Sequence, residues 1–215
     1  MSIRGTYSPN SAVIRALAYF AVCWIIAGLS GVTATVFGEA IATSSQLQSV
    51  EWWMSTVGCL TVIVVAYGVI WPKGTVTHDR RRHTPMVLGF GLLWGISQGQ
   101  LYLAIRMGAA EINDNRLVIG VLTFGVISTV TGLWHDRYWD RFVSPPHNIQ
   151  AWNGRKVVFC HVPNLVVTLT YLAVHDNHAI FVALQTLALV LSTWFMHFPA
   201  PTWPLGPGSG EPRVG

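Results

Sequence analysis

Six stretches of this chain, roughly 16–37, 52–71, 86–105, 117–134, 157–174 and 179–198, run almost without charge. Each has the length, about 17–25 residues, that crosses a hydrocarbon core about 30 Å thick. Backbone polar groups cannot go unpaired in lipid, so such stretches are read as helices packed side by side. The expected fold is therefore an all-α integral membrane protein, a six-transmembrane-helix bundle over residues 1–200. Residues 201–215, rich in Pro and Gly, are expected to form a disordered tail. With 52% hydrophobic and 10% charged residues among 215, nothing is left for a separate soluble domain.

Basic residues orient the bundle. Arg4, Arg15, Lys73, Arg80, Arg81, Arg82, Arg137, Arg141, Arg155, Lys156 and Arg213 fall on one side, and only Arg106 and Arg116 on the other. The positive-inside bias places the first side, with both termini, in the cytoplasm, and the expected location is the cell membrane. The net charge of +4 is then a topology signal with no need of a nucleic-acid partner, although the basic loops suit anionic membrane lipids. Cys23, Cys59 and Cys160 sit inside apolar stretches and read as buried thiols.

Polar residues inside the spans mark faces turned away from lipid. The third span carries Gly91, Gly95, Gln98 and Tyr102 at helical spacing, the fourth Phe124, Ser128, Thr131 and His135. The fifth carries His161, Asn164, Thr168, Tyr171 and His175. Gln98, Tyr102 and Asn164 are candidates for lining a substrate pocket between these three helices. Hydrogen-bonded helix packing is the plainer alternative.

The densest chemistry lies in Trp134–His147, which packs two His, two Asp, two Arg and several aromatic rings between apolar spans. On the expected topology His78, His83, His135, His147, His161 and His197 gather towards the cytoplasmic side, with Asp79, Asp136 and Asp140, while His175 and His178 fall opposite. Imidazole with carboxylate is an ordinary ligand set for first-row metals, so His135, His147 and His161 are candidate ligands for copper or iron. Interfacial histidines also hydrogen-bond lipid head groups.

Trp134-His135, followed twelve residues on by the His of Ser144-Pro-Pro-His147, resembles a motif in the C subunit of copper membrane monooxygenases. That family oxidises methane, ammonia or short hydrocarbons. Asp140 stands seven residues before His147, as the family's second aspartate does. The resemblance implies that His135 and His147 ligate copper. It is confined to Trp134–His147, with Thr131 where the family has a carboxylate, a histidine spacing one residue short, and Asn148 to Lys156 before the next span.

The same stretch supports a metal-free chemistry. Asp136 and Asp140 stand among Trp134, Tyr138, Trp139 and Phe142. A carboxylic acid among electron-rich rings suits protonation of an alkene or epoxide, with Trp134 and Trp139 stabilising the carbocation, as an isoprenoid (terpene) cyclase requires. An interfacial ion-pair cluster with aromatic belt residues is the alternative. Walker, Gly-x-Ser-x-Gly, Cys-x-x-Cys and His-Glu-x-x-His motifs are absent. Three readings follow: a membrane oxidase of a lipophilic substrate, a cofactor-free membrane cyclase, and a non-catalytic subunit of a membrane complex.

Overall fold

A computed structural model describes residues 9–74, 82–134 and 156–197, and these are helical with no strand. The order is α1 (Pro9–Leu29), α2 (Val32–Gly38), α3 (Ser44–Gln48), α4 (Val50–Ile63), α5 (Thr84–Ile112), α6 (Arg116–Trp134), α7 (Val162–His175) and α8 (His178–Met196). A π-helical segment, Val64–Ile70, prolongs α4 and leads into a 3₁₀ turn, Trp71–Gly74. A second π-helical segment, Val157–His161, leads into α7.

Local chemistry sets the boundaries. Gly31 takes φ +77°, a left-handed conformation that lets the chain bend by 83° between α1 and α2. The Thr43 side chain and Gln46 form a capping box at the start of α3, and Ser49 caps α4. Asn115 Oδ1 accepts the backbone N–H groups of Leu117 and Val118 at the start of α6. Asn177 caps α8.

Four helical stretches are long and apolar enough to cross a membrane: Val50–Lys73, Arg116–Leu133, Val157–His175 and His178–Met196. The bent pair α1–α2 makes five if it counts as one span. Val121, Val126 and Phe159 are among the large apolar residues they leave exposed, and a surface of that kind needs hydrocarbon around it.

The third expected span behaves differently. α5 runs for 29 residues but is not among these apolar spans, because Gln98, Gln100 and its glycines dilute its hydropathy. Its surroundings explain this: α8, α1, α6 and α2 all pack against it, so it meets protein more than lipid.

The α5–α8 contact is the most extensive in the molecule, and glycine makes it possible. A Cβ at Gly91 would lie 2.9 Å from Val190 Cα, one at Gly95 would run into the Thr186 backbone, and one at Gly99 would lie 3.2 Å from Val182 Cα. The single face expected of Gly91, Gly95, Gln98 and Tyr102 is therefore two adjacent rows. Glycines 91, 95 and 99 seat α8, whereas Trp94, Gln98 and Tyr102 form a polar ladder beside them. The row on α6 shifts too. Ile119, Thr123 and Ile127 are buried, Phe124 and Thr131 are half-buried and Ser128 is exposed, so the inward row keeps Thr131 but leaves Ser128 out. Cys23, Cys59 and Cys160 are free and buried, as their placement in apolar stretches implies.

Candidate functional site

Two π-helical segments meet at one end of the bundle. An extra residue per turn shifts a π-helix's carbonyls out of the usual ladder, and such turns recur at functional sites. Here the Ala66 carbonyl accepts the Trp71 N–H within its own segment, and it also accepts the Cys160 thiol at 3.1 Å from the facing one. That contact pins the segments together and sets Tyr67 against His161, with the Tyr67 hydroxyl 3.0 Å from His161 Nδ1. The tautomer decides which group donates. Tyr67 is 1% exposed, whereas His161 is half-buried, so the bond joins a buried phenol to an imidazole nearer the surface.

Trp71 lies edge-on to His161, ring centres 6.0 Å apart, and against Tyr67 at 5.6 Å. The Lys156 ammonium sits 4.6 Å from the centre of the Trp71 ring. Burial disfavours the charged ammonium and pulls Lys156 down to about 8, so an appreciable neutral fraction exists near physiological pH.

One turn beyond His161, Asn164 opens a second polar group. Its Nδ2 donates to Gln185 Oε1 at 3.0 Å, Gln185 Nε2 donates to Thr168 Oγ1 at 2.8 Å, and Thr168 Oγ1 donates back to the Asn164 carbonyl at 2.6 Å. Asn164 Oδ1 is buried without a hydrogen bond among the described residues. On α5, Trp94 Nε1–H donates to Gln98 Oε1 at 2.7 Å, Gln98 Nε2 donates to the Tyr102 hydroxyl, and that hydroxyl meets Thr131 Oγ1 of α6 at 3.0 Å. Asn164 thus stands one turn from His161, while Gln98 and Tyr102 belong to a separate ladder that joins α5 to α6.

Of the other expected site residues, Trp134 is the last residue of α6, one turn past Thr131. His135, Asp136, Trp139, Asp140 and His147 lie outside the described residues, as do His78 and the tail expected over 201–215. Among the described residues no three His, Cys, Asp or Glu side chains cluster as a metal site. His83 and His197 fall at the same end as His161, with His197 Nε2 2.8 Å from an Arg82 guanidinium nitrogen. His175 and His178 fall at the other end, where His178 meets Glu39 at 3.1 Å.

The carboxylates divide in a way that bears on chemistry. Glu39, Glu51, Glu111, Asp114 and Asp176 all sit at the His178 end, in or beside α2, α4, α5, α6 and α7. An acidic partner for the Tyr67–His161 pair therefore has to come from Asp79, Asp136, Asp140 or Glu211, which lie outside the described residues.

Sequence reasoning missed Tyr67, Trp71 and Lys156 as members of this region. Tyr67 is the one tyrosine in its span, and that was the available signal. What the region can do is hold and pass a proton, since imidazole and phenol share one hydrogen bond. The chain matches no family model, no curated protein and no solved structure.

Proposed function

We propose that this chain is a multi-pass membrane enzyme acting on a lipophilic substrate at the end of the bundle that holds His161. The observation carrying this reading is the Tyr67–His161 hydrogen bond at 3.0 Å between two facing π-helical segments. Ordinary helix packing has no need of an imidazole oriented by a buried phenol in this way. With α5 counted as a span and α1–α2 as another, the bundle has six, and its basic loops assign the His161 end to the cytoplasmic face of the cell membrane.

Two reaction classes suit this end. In the first, His161, His135 and His147 would hold copper or iron, which would supply the chemistry of oxidation, and Tyr67 on Nδ1 would orient the His161 ring. In the second, Asp136 or Asp140 protonates an isoprenoid-like substrate, Trp134 and Trp139 face the cation, and no cofactor takes part. Gln98, Tyr102 and Asn164 line the pocket in both.

The non-catalytic reading, a subunit of a membrane complex, draws support from the closed ring of Asn164, Gln185 and Thr168, whose members spend their hydrogen bonds largely on one another. Lipid extracts of membranes with and without the chain test the proposal, together with metal analysis of the purified protein. A changed lipophilic product with a stoichiometric transition metal lost in His147→Ala supports oxidation. The same product change in metal-free protein, abolished by Asp140→Asn, supports cyclisation. An unchanged extract leaves the subunit.

A further inference from the structure

The stretch 30–49 follows the 83° bend at Gly31, and its partners set the level at which it lies. Glu39 Oε2 meets His178 Nδ1 at 3.1 Å, Asn177 Nδ2 donates to the Ile41 carbonyl at 2.9 Å, and Gln46 Nε2 donates to the His175 carbonyl at 3.4 Å. His175 ends one apolar span, His178 begins another, and Val50 begins a third directly after this stretch. The stretch is therefore tied to the plane where spans begin and end. α1 reaches that plane alone, since its 21 residues extend about 31 Å, the thickness of a hydrocarbon core.

One side of the stretch is committed to protein. Val32 and Val36, four residues apart, are buried against the core that holds Leu103 and Phe181, and Thr33 Oγ1 donates to Gln100 Oε1 at 2.7 Å. Phe37 leaves in another direction. Its ring stacks on Trp24, with centres 6.1 Å apart and planes 10° from parallel, and the residue is 62% exposed. Trp24 stands five residues before the end of α1, about 7.5 Å along that helix, so Phe37 reaches below the plane of the span ends on the flank of α1. Ile25, Ile26 and Leu29 are exposed on α1, and Phe37 continues their apolar surface. Further along, Ser44, Ser45 and Gln48 are exposed, and the one charged residue of 30–49 is Glu39.

We propose that residues 30–49 form an interfacial strap, lying in the head-group region of the leaflet at the His178 end, with Phe37 anchored among its acyl chains. The level of the span ends and the continuity with α1 select lipid as the partner. A water-borne protein cannot reach a ring held below that plane. With no basic residue in the strap, neutral lipid suffices. The strap lies at the opposite end of the bundle from His161 and stands independently of the enzymatic reading.

Nitroxide labels measure the depth directly. Phe37→Cys, Ile41→Cys and Ser45→Cys, each in the full chain in phosphatidylcholine vesicles, are labelled, and relaxation by oxygen and by a water-soluble nickel complex places each label relative to the phosphates. Cys23, Cys59 and Cys160 are buried, and the unaltered chain treated alike supplies the background. The Phe37 label is expected about 5–10 Å below the phosphates, the depth of an interfacial apolar face. The Ser45 label is expected at or above them, and the Ile41 label, with Phe37 intact, between the two. The same depths are expected in phosphatidylglycerol vesicles. Adding Phe37→Ser to the Ile41-labelled chain moves that label towards water. A Phe37 label in water or at the bilayer centre, an Ile41 label deeper than it, depths that require anionic lipid, or spin–spin broadening between two copies labelled at Phe37 overturns the proposal.

Discussion

Tyr67 and His161 share a hydrogen bond of 3.0 Å across two π-helical segments that face each other. Neither residue is where a regular α-helix would put it, since each segment carries the extra residue that turns the chain by a fraction of a turn. The pair is held by a neighbouring contact, the Cys160 thiol on the Ala66 carbonyl at 3.1 Å, and walled by Trp71.

Removing the hydroxyl alone tests whether that orientation matters. Tyr67→Phe keeps the ring against Trp71 and deletes only the partner of Nδ1. We expect production of the lipophilic product to fall about 10- to 100-fold, the usual cost of losing an orienting partner of a functional imidazole. The melting temperature in detergent should shift by a few degrees at most, since one buried membrane hydrogen bond averages about 0.6 kcal/mol. Product yield and thermal melting, measured side by side, check this.

The glycine row of α5 gives a stability contrast within one helix. Gly95→Ala drives a Cβ into the Thr186 backbone and should destabilise by about 1–3 kcal/mol through overpacking. Gly89→Ala, where a Cβ meets nothing within 4 Å, should stabilise by roughly 0.5–1 kcal/mol because alanine loses less backbone freedom. Opposite shifts in melting temperature are the expected result.

Asn164 and Gln185 separate a structural role from a functional one. Either single change, Asn164→Leu or Gln185→Leu, leaves a buried amide unpaired and should cost about 1–3 kcal/mol. The double variant should cost less than the sum, because neither amide is then stranded. If Asn164 also touches substrate, the double variant recovers stability without recovering product. Equilibrium unfolding and product yield on the four proteins report both.

Lys156 predicts a pH dependence whose sign is fixed. Its folded value near 8 lies below the ordinary 10.5, so between those two values the unfolded chain binds a proton that the folded chain does not. Stability therefore rises as pH climbs from about 8 to 10.5, and below 8 the buried ammonium carries its full penalty. Lys156→Met should be more stable than the unaltered chain at pH 7, with the gap narrowing above pH 8. Melting curves across pH 6.5–10, with NMR titration of a ¹³C-dimethylated Lys156, provide the measurement.

Much of this architecture was legible from residue order. Charge-free stretches located the helices, and the row His161, Asn164, Thr168 and Tyr171 marked the inward face of α7, where Asn164, Thr168 and Tyr171 are indeed buried. What was not legible depends on geometry that periodicity cannot express. A π-helical segment has no apolar period of its own, so Val64–Ile70 read as more of the same helix and Tyr67 did not stand out. The bend at Gly31 turned one expected span into two pieces. In α5 two rows only about 60° apart could not be separated until the partner helices were seen to take different ones. Asp136, Asp140, His135 and His147 were conspicuous by chemistry, but they lie outside the described residues.

The central claim is that function resides at the Tyr67–His161 end of the bundle. The most direct measurement compares lipid extracts from membranes carrying the unaltered chain, His161→Ala and His175→Ala, the last being a histidine on the same helix at the opposite end. The account predicts that the product disappears with His161→Ala and persists with His175→Ala, both proteins being present in the membrane in equal amount. Product retained in His161→Ala would contradict it.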